Sequence, residues 1–120
     1  MDFRLTSEQR MIQESMRRMT ARDIMPILKA NDPNKPLPKA EVHKILTLCA
    51  QQGLTAPRIP EADGGSGLSA VTTGILYEQL PPVIAFDVLA HEVTTARIHY
   101  DCTPEQKERI LSDLIAAKRL

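Results

Sequence analysis

Tryptophan is absent from this 120-residue chain, and two phenylalanines and two tyrosines are its only aromatics. Stacking on nucleobases therefore has almost no material. Fifteen lysines and arginines balance fifteen aspartates and glutamates, so the formal net charge is zero. That balance argues against nucleic acid or an anionic membrane as the main partner. Cys49 and Cys102 are the only cysteines, too few for a disulfide scaffold, and read as thiols in a reducing compartment. No apolar run approaches the length of a membrane span, and Met1-Asp2-Phe3-Arg4 opens no signal peptide. A cytoplasmic protein of one domain, residues 1–120, is expected, burying about two thirds of its unfolded surface.

Glycine is scarce too, yet three of the five glycines fall together in Gly64-Gly65-Ser66-Gly67, with Pro57 and Pro60 just upstream. Glycine permits positive φ and close backbone approach, while proline fixes φ and removes a donor. The stretch from Ile59 to Leu68 is thus an ordered, sharply turned loop around which the chain is organised. A phosphate cradle would need G-x-G-x-x-G after a strand, or a G-K-[ST] ending, and neither is present. A flexible linker would be longer and free of flanking prolines. A compact turn aiming one pair of helices at the next set fits these residues best.

Helical spacing lies on both sides of the loop. Thr6-Ser7-Glu8-Gln9 forms a capping box, and Met11, Ile12, Met16, Met19, Ile24, Ile27 and Leu28 follow as an apolar stripe. Pro26 predicts a kink or an early end. A second helix opens at Pro38, buries Val42, Ile45, Leu46 and Cys49, and stops at a left-handed Gly53, with His43 on its solvated flank. Ser69 caps a third helix through Leu80, which Pro81-Pro82 ends. The segment from Val83 to Ala90 is apolar nearly all round, and its β-branched content permits a buried strand. Continuation through His91, Val93, Ala96 and Ile98 favours a long helix, one that must be covered on more than one side. Thr103-Pro104-Glu105-Gln106 caps a last helix carrying Ile110, Leu111, Leu114 and Ile115. Ala116 to Leu120 has no glycine or proline terminator, as in a cut chain, although natural C-termini can look the same. The expected fold is all-α, a bundle of about five helices with the Gly/Pro-rich loop between the second and third.

Chemistry-bearing patterns are sparse. His91-Glu92 invites comparison with the H-E-x-x-H zinc helix, but position 95 is threonine, so no metal site is expected. No nucleophile elbow is present, and Glu61 and Asp63 read as exposed turn acids. No catalytic and no cofactor-binding residue is assigned within the chain.

Several of these features occur together in one known arrangement. Leu5-Thr6-Ser7-Glu8-Gln9-Arg10 comes first, then Gly53-Leu54, then Pro60-Glu61-Ala62-Asp63-Gly64-Gly65-Ser66-Gly67-Leu68 as a P-E-x-x-G-G-x-G-[LM] loop. Tyr77-Glu78-Gln79-Leu80 and Thr103-Pro104-Glu105-Gln106-Lys107 follow. This series, covering essentially the whole chain, resembles the N-terminal helical domain of the acyl-CoA dehydrogenase family.

The resemblance implies a three-part parent, with a β-domain and a C-terminal helical bundle beyond the residues present. Such enzymes oxidise the Cα–Cβ bond of an acyl thioester, a glutamate taking the α-proton and FAD accepting a hydride. The other two parts mainly hold the flavin, so the chain alone is expected neither to bind FAD nor to react. Phe86, Leu89 and Val93 would line the acyl-CoA pocket, and in isolation that face would drive self-association. Two departures leave the substrate class open: Ala62-Asp63 where many members have an acid followed by an aromatic, and the Pro81-Pro82 pair. The alternative is a free-standing helical interaction module that reuses the fold without redox chemistry.

Overall fold

The Thr6 capping box starts the first helix. In a computed structural model describing all residues Met1–Leu120, the Gln9 amide donates to Thr6 Oγ1 at 3.1 Å, and the Thr6 amide donates to Gln9 Oε1 at 2.9 Å. The chain then forms α1 (Ser7–Met19), a π-helical turn (Thr20–Ile24), α2 (Met25–Lys29), α3 (Lys39–Gln51), a 3₁₀ turn (Glu61–Asp63), α4 (Ala70–Tyr77), α5 (Pro82–Asp101) and α6 (Pro104–Ile115). It is all-helical, with α1 to α2 forming one continuous rod and four further helices after it. No helix is long and apolar enough to cross a membrane.

Pro26 does not end the first helix, although it donates no backbone hydrogen bond of its own. The Met25 amide reaches back to the Thr20 carbonyl, an i→i−5 bond, so a π turn absorbs the proline and the helix resumes to Lys29. The resumed register keeps Ile24 in the core beside Met16 and Met19. Gly53, at φ 77°, closes α3 in the left-handed conformation. Its amide donates to the Ala50 carbonyl and that of Leu54 to the Cys49 carbonyl, both at 3.0 Å, which is the Schellman arrangement. α4 stops at Tyr77, earlier than the prolines suggest. Gln79 and Leu80 take up the Leu76 and Tyr77 carbonyls in tighter i→i−3 bonds, and Pro82 becomes the first residue of α5.

The end of α6 holds two features that the sequence does not announce. Ala117, at φ 54°, occupies the left-handed position normally given to glycine, with Lys118 N–H donating to the Asp113 carbonyl at 2.8 Å. The helix thus has a terminator with no sequence signature. His43 is exposed, as expected, and its Nε2 also pairs with the Ala117 carbonyl at 2.6 Å. Thr55 Oγ1 donates to the Ile115 carbonyl and His91 Nε2 pairs with that of Leu114. Side chains from α3, the loop and α5 therefore satisfy carbonyls that a helix end leaves open.

The molecule measures 43 × 41 × 19 Å, about two helices thick given that packed helix axes lie roughly 8–10 Å apart. One buried cluster joins Met16, Met19 and Ile24 to Ile45, Leu46 and Cys49, and to Leu76, Ile84 and Val88. Burial pushes the Cys49 thiol up to about 12, whereas Cys102 is partly exposed. The raised value means that the unfolded chain deprotonates first. The stabilisation from burying a neutral Cys49 is therefore whole below the ordinary thiol value of about 8.5 and is lost as pH rises from there. An aromatic disulfide reagent at neutral pH should modify Cys102 in the native chain and Cys49 only on unfolding. Melting temperature should fall between about pH 9 and 12, and more gently in Cys49→Ala. Equal reactivity of the two thiols would contradict the buried placement.

Candidate functional site

Residues 56–68 fold into a loop cinched by its own backbone. The Ser66 amide donates to the Ala56 carbonyl at 3.0 Å, Gly67 to Ile59 at 2.9 Å, Leu68 to Pro57 at 2.6 Å and Gly65 to Pro60 at 3.1 Å. Asp63 and Gly64 donate to Pro60 and Glu61, both at 3.0 Å. Every amide from Asp63 to Leu68 is thereby spent, and none remains to meet a phosphate. Gly65 allows the closest approach: a Cβ there would lie 2.1 Å from the Ile59 carbonyl oxygen. Gly64 and Gly67 have positive φ and Gly65 does not.

Ser66 Oγ donates to the Gly53 carbonyl at 3.0 Å, tying the loop to the end of α3. A second tie runs to α5. Arg58 Nε donates to Glu92 Oε1 at 2.8 Å and its Nη2 to Oε2 at 2.9 Å, a bidentate fork. The Glu92 side chain is 2% exposed and that of Arg58 51%, so the acid is buried and the base reaches it from the rim. Tyr77 lies near this pair, its hydroxyl buried without a protein partner. Burial first, and the Glu92 carboxylate second, hold its proton above the ordinary phenol range. His99 Nε2 approaches Asp63 Oδ2 at 3.4 Å, a third link from loop to helix.

α5 is therefore fixed in rotation about its axis. Ile84, Val88, His91, Glu92 and Thr95 face inward and are buried. On the opposite side Phe86, Leu89 and Val93 are 71%, 43% and 38% exposed. The three residues that the resemblance places at the pocket do share one face, and that face is open. A flank of the same helix, with Val83, Asp87 and Thr94, borders a groove of about 760 Å³ closed by the 31–37 connector. Neither histidine of α5 is arranged for a metal: His91 is committed to the Leu114 carbonyl, and no three potential ligands gather. The Arg58–Glu92 pair carries no local sequence signal. The nearest cue is a lone acid on the inward side of an apolar helix.

Comparison with known proteins bears on this arrangement. A family model described as "Acyl-CoA dehydrogenase, N-terminal domain" matches residues 6–118. A cyclohex-1-ene-1-carbonyl-CoA dehydrogenase from Syntrophus aciditrophicus is 32% identical over 110 residues, covering 89% of this chain and 26% of that protein. An (R)-benzylsuccinyl-CoA dehydrogenase from Thauera aromatica is 29% identical over 67% of the chain and 22% of its own length. A benzylmalonyl-CoA dehydrogenase from Aromatoleum aromaticum is 39% identical over 58% of the chain and 17% of its own. The matched segments span at most about a quarter of these relatives. The chain belongs to the acyl-CoA dehydrogenase family, as its N-terminal helical domain.

Proposed function

We propose that this chain serves a flavin-dependent acyl-CoA dehydrogenase by supplying one wall of the acyl-chain pocket, through Phe86, Leu89 and Val93. One observation carries the reading: a 20-residue helix is buried along one face, apolar and open along the other. An isolated domain rarely leaves such a face in water. A β-domain, a C-terminal bundle and the acyl group would cover it in the complete enzyme. Acyl-CoA dehydrogenases generally use FAD. This chain's spent loop amides do not fit the cofactor's phosphates, so its part is to bind and orient the acyl group, and alone it is inactive.

The acyl group itself is ring-bearing in this proposal. The named relatives are dehydrogenases of benzylsuccinyl-, cyclohexenecarbonyl- and benzylmalonyl-CoA, all ring-containing thioesters. A wall with one aromatic and two branched aliphatic side chains offers a flat, dispersive surface to such a ring. In the assembled enzyme, Phe86→Asp should lower kcat/KM for a ring-bearing acyl-CoA about tenfold to a hundredfold, the worth of one buried large side chain. Bound flavin should be unchanged. Unaltered kinetics with every thioester tried would overturn the reading. In the isolated chain the same face should drive self-association, and sedimentation should show this vanish in Phe86→Asp while the fold survives.

A further inference from the structure

The apolar face of α5 gives way to charge. From Phe86 to Val93 it runs roughly 10 Å at the helical rise. Beyond Val93 come Ala96, Arg97 and Tyr100, which with Val93, Arg58 and Asp101 line a depression of about 460 Å³. Arg97 and Asp101 form a loose pair at 3.8 Å, both largely exposed and free to move. Arg58 is different. Its fork holds a nearly fully buried carboxylate, and the Tyr100 hydroxyl donates to its backbone carbonyl at 3.4 Å.

A free surface arginine would swing aside for an apolar ligand. Arg58 cannot, because moving it strands Glu92 without a counter-charge. An alkyl chain running past Val93 would instead strip water from a fixed guanidinium without replacing its hydrogen bonds. The geometry points to Arg58 as a specificity-determining residue that ends the apolar wall. It limits the apolar part of the acyl group to about 10 Å, so compact rings and short chains are accepted and long unbranched chains refused. This rests on the pocket-wall reading above.

The test uses the assembled dehydrogenase and straight-chain acyl-CoA thioesters of increasing length. Since Arg58 alone cannot be removed without stranding Glu92, the variant is the double one, Arg58→Met with Glu92→Met. Its kcat/KM for the longest thioesters should rise about tenfold relative to the shortest, the worth of two more buried methylene groups. An unchanged length profile in a folded double variant overturns the proposal. So does a uniform rise in KM at every length, which would place Arg58 against the CoA moiety. Should the double variant not fold, Arg58→Lys keeps the charge but loses the fork. It should relax the limit in part, and an unaltered profile there is equally decisive. Failure of the pocket-wall reading has a different signature: Phe86→Asp would leave all thioesters unaffected.

Discussion

Replacing Gly65 with alanine is expected to lower the melting temperature by roughly 12 °C, a loss of about 3 kcal/mol at the upper end of overpacking effects. The alanine Cβ would sit 2.1 Å from the Ile59 carbonyl oxygen and 2.5 Å from its carbon. Neither is the far end of a flexible side chain. Ile59 is fully buried, and its carbonyl accepts the Gly67 amide, so relief requires the loop's two arms to part. Gly67 provides the control. A Cβ there meets nothing nearer than Glu61 Cγ at 3.4 Å, so Gly67→Ala suffers only its left-handed φ of 57°. That cost is about 1 kcal/mol, or roughly 4 °C. Thermal melts of the two variants read the difference directly. If Gly65→Ala melts with the parent, the loop is slack and cannot set the rotation of α5.

What was legible in the sequence was local. Thr6 and Thr103 announce their helices because a capping box is complete within four residues, and Gly53 announces its stop because the left-handed position nearly demands glycine. Pro26 was half legible. Its missing N–H is a local fact, but whether the helix ends or passes through a π turn depends on Ile24 finding the core formed with α3 and α5. Ala117 was invisible, since nothing about an alanine predicts a left-handed stop. His43, 74 positions away in sequence, makes that stop tenable by holding its carbonyl. The open face of α5 was read correctly as a face. Spacing alone could not say which of two apolar faces turns outward. The resemblance put Phe86, Leu89 and Val93 there, and all three are exposed, with Arg58 holding the other face inward through Glu92, 34 positions apart.

That pair is also where a single substitution should cost most. Arg58→Ala is expected to destabilise the chain by about 3–5 kcal/mol, because it leaves the Glu92 carboxylate charged, buried and alone. Glu92→Met should cost less, about 1.5 kcal/mol, the worth of a charge-assisted hydrogen bond. The asymmetry follows from exposure: with Glu92 gone, Arg58, already half in water, no longer has a buried carboxylate to hold and can turn outward, whereas Glu92 without Arg58 has no such retreat. The double replacement, Arg58→Met with Glu92→Met, should return to within about 1 kcal/mol of the parent, since two apolar side chains can fill the place of a buried ion pair. Denaturant melts of the parent, both single variants and the double variant form a closed cycle. Strictly additive losses would mean that the fork does not join loop to helix. Equal losses for the two single variants would mean that Glu92 reaches water after all.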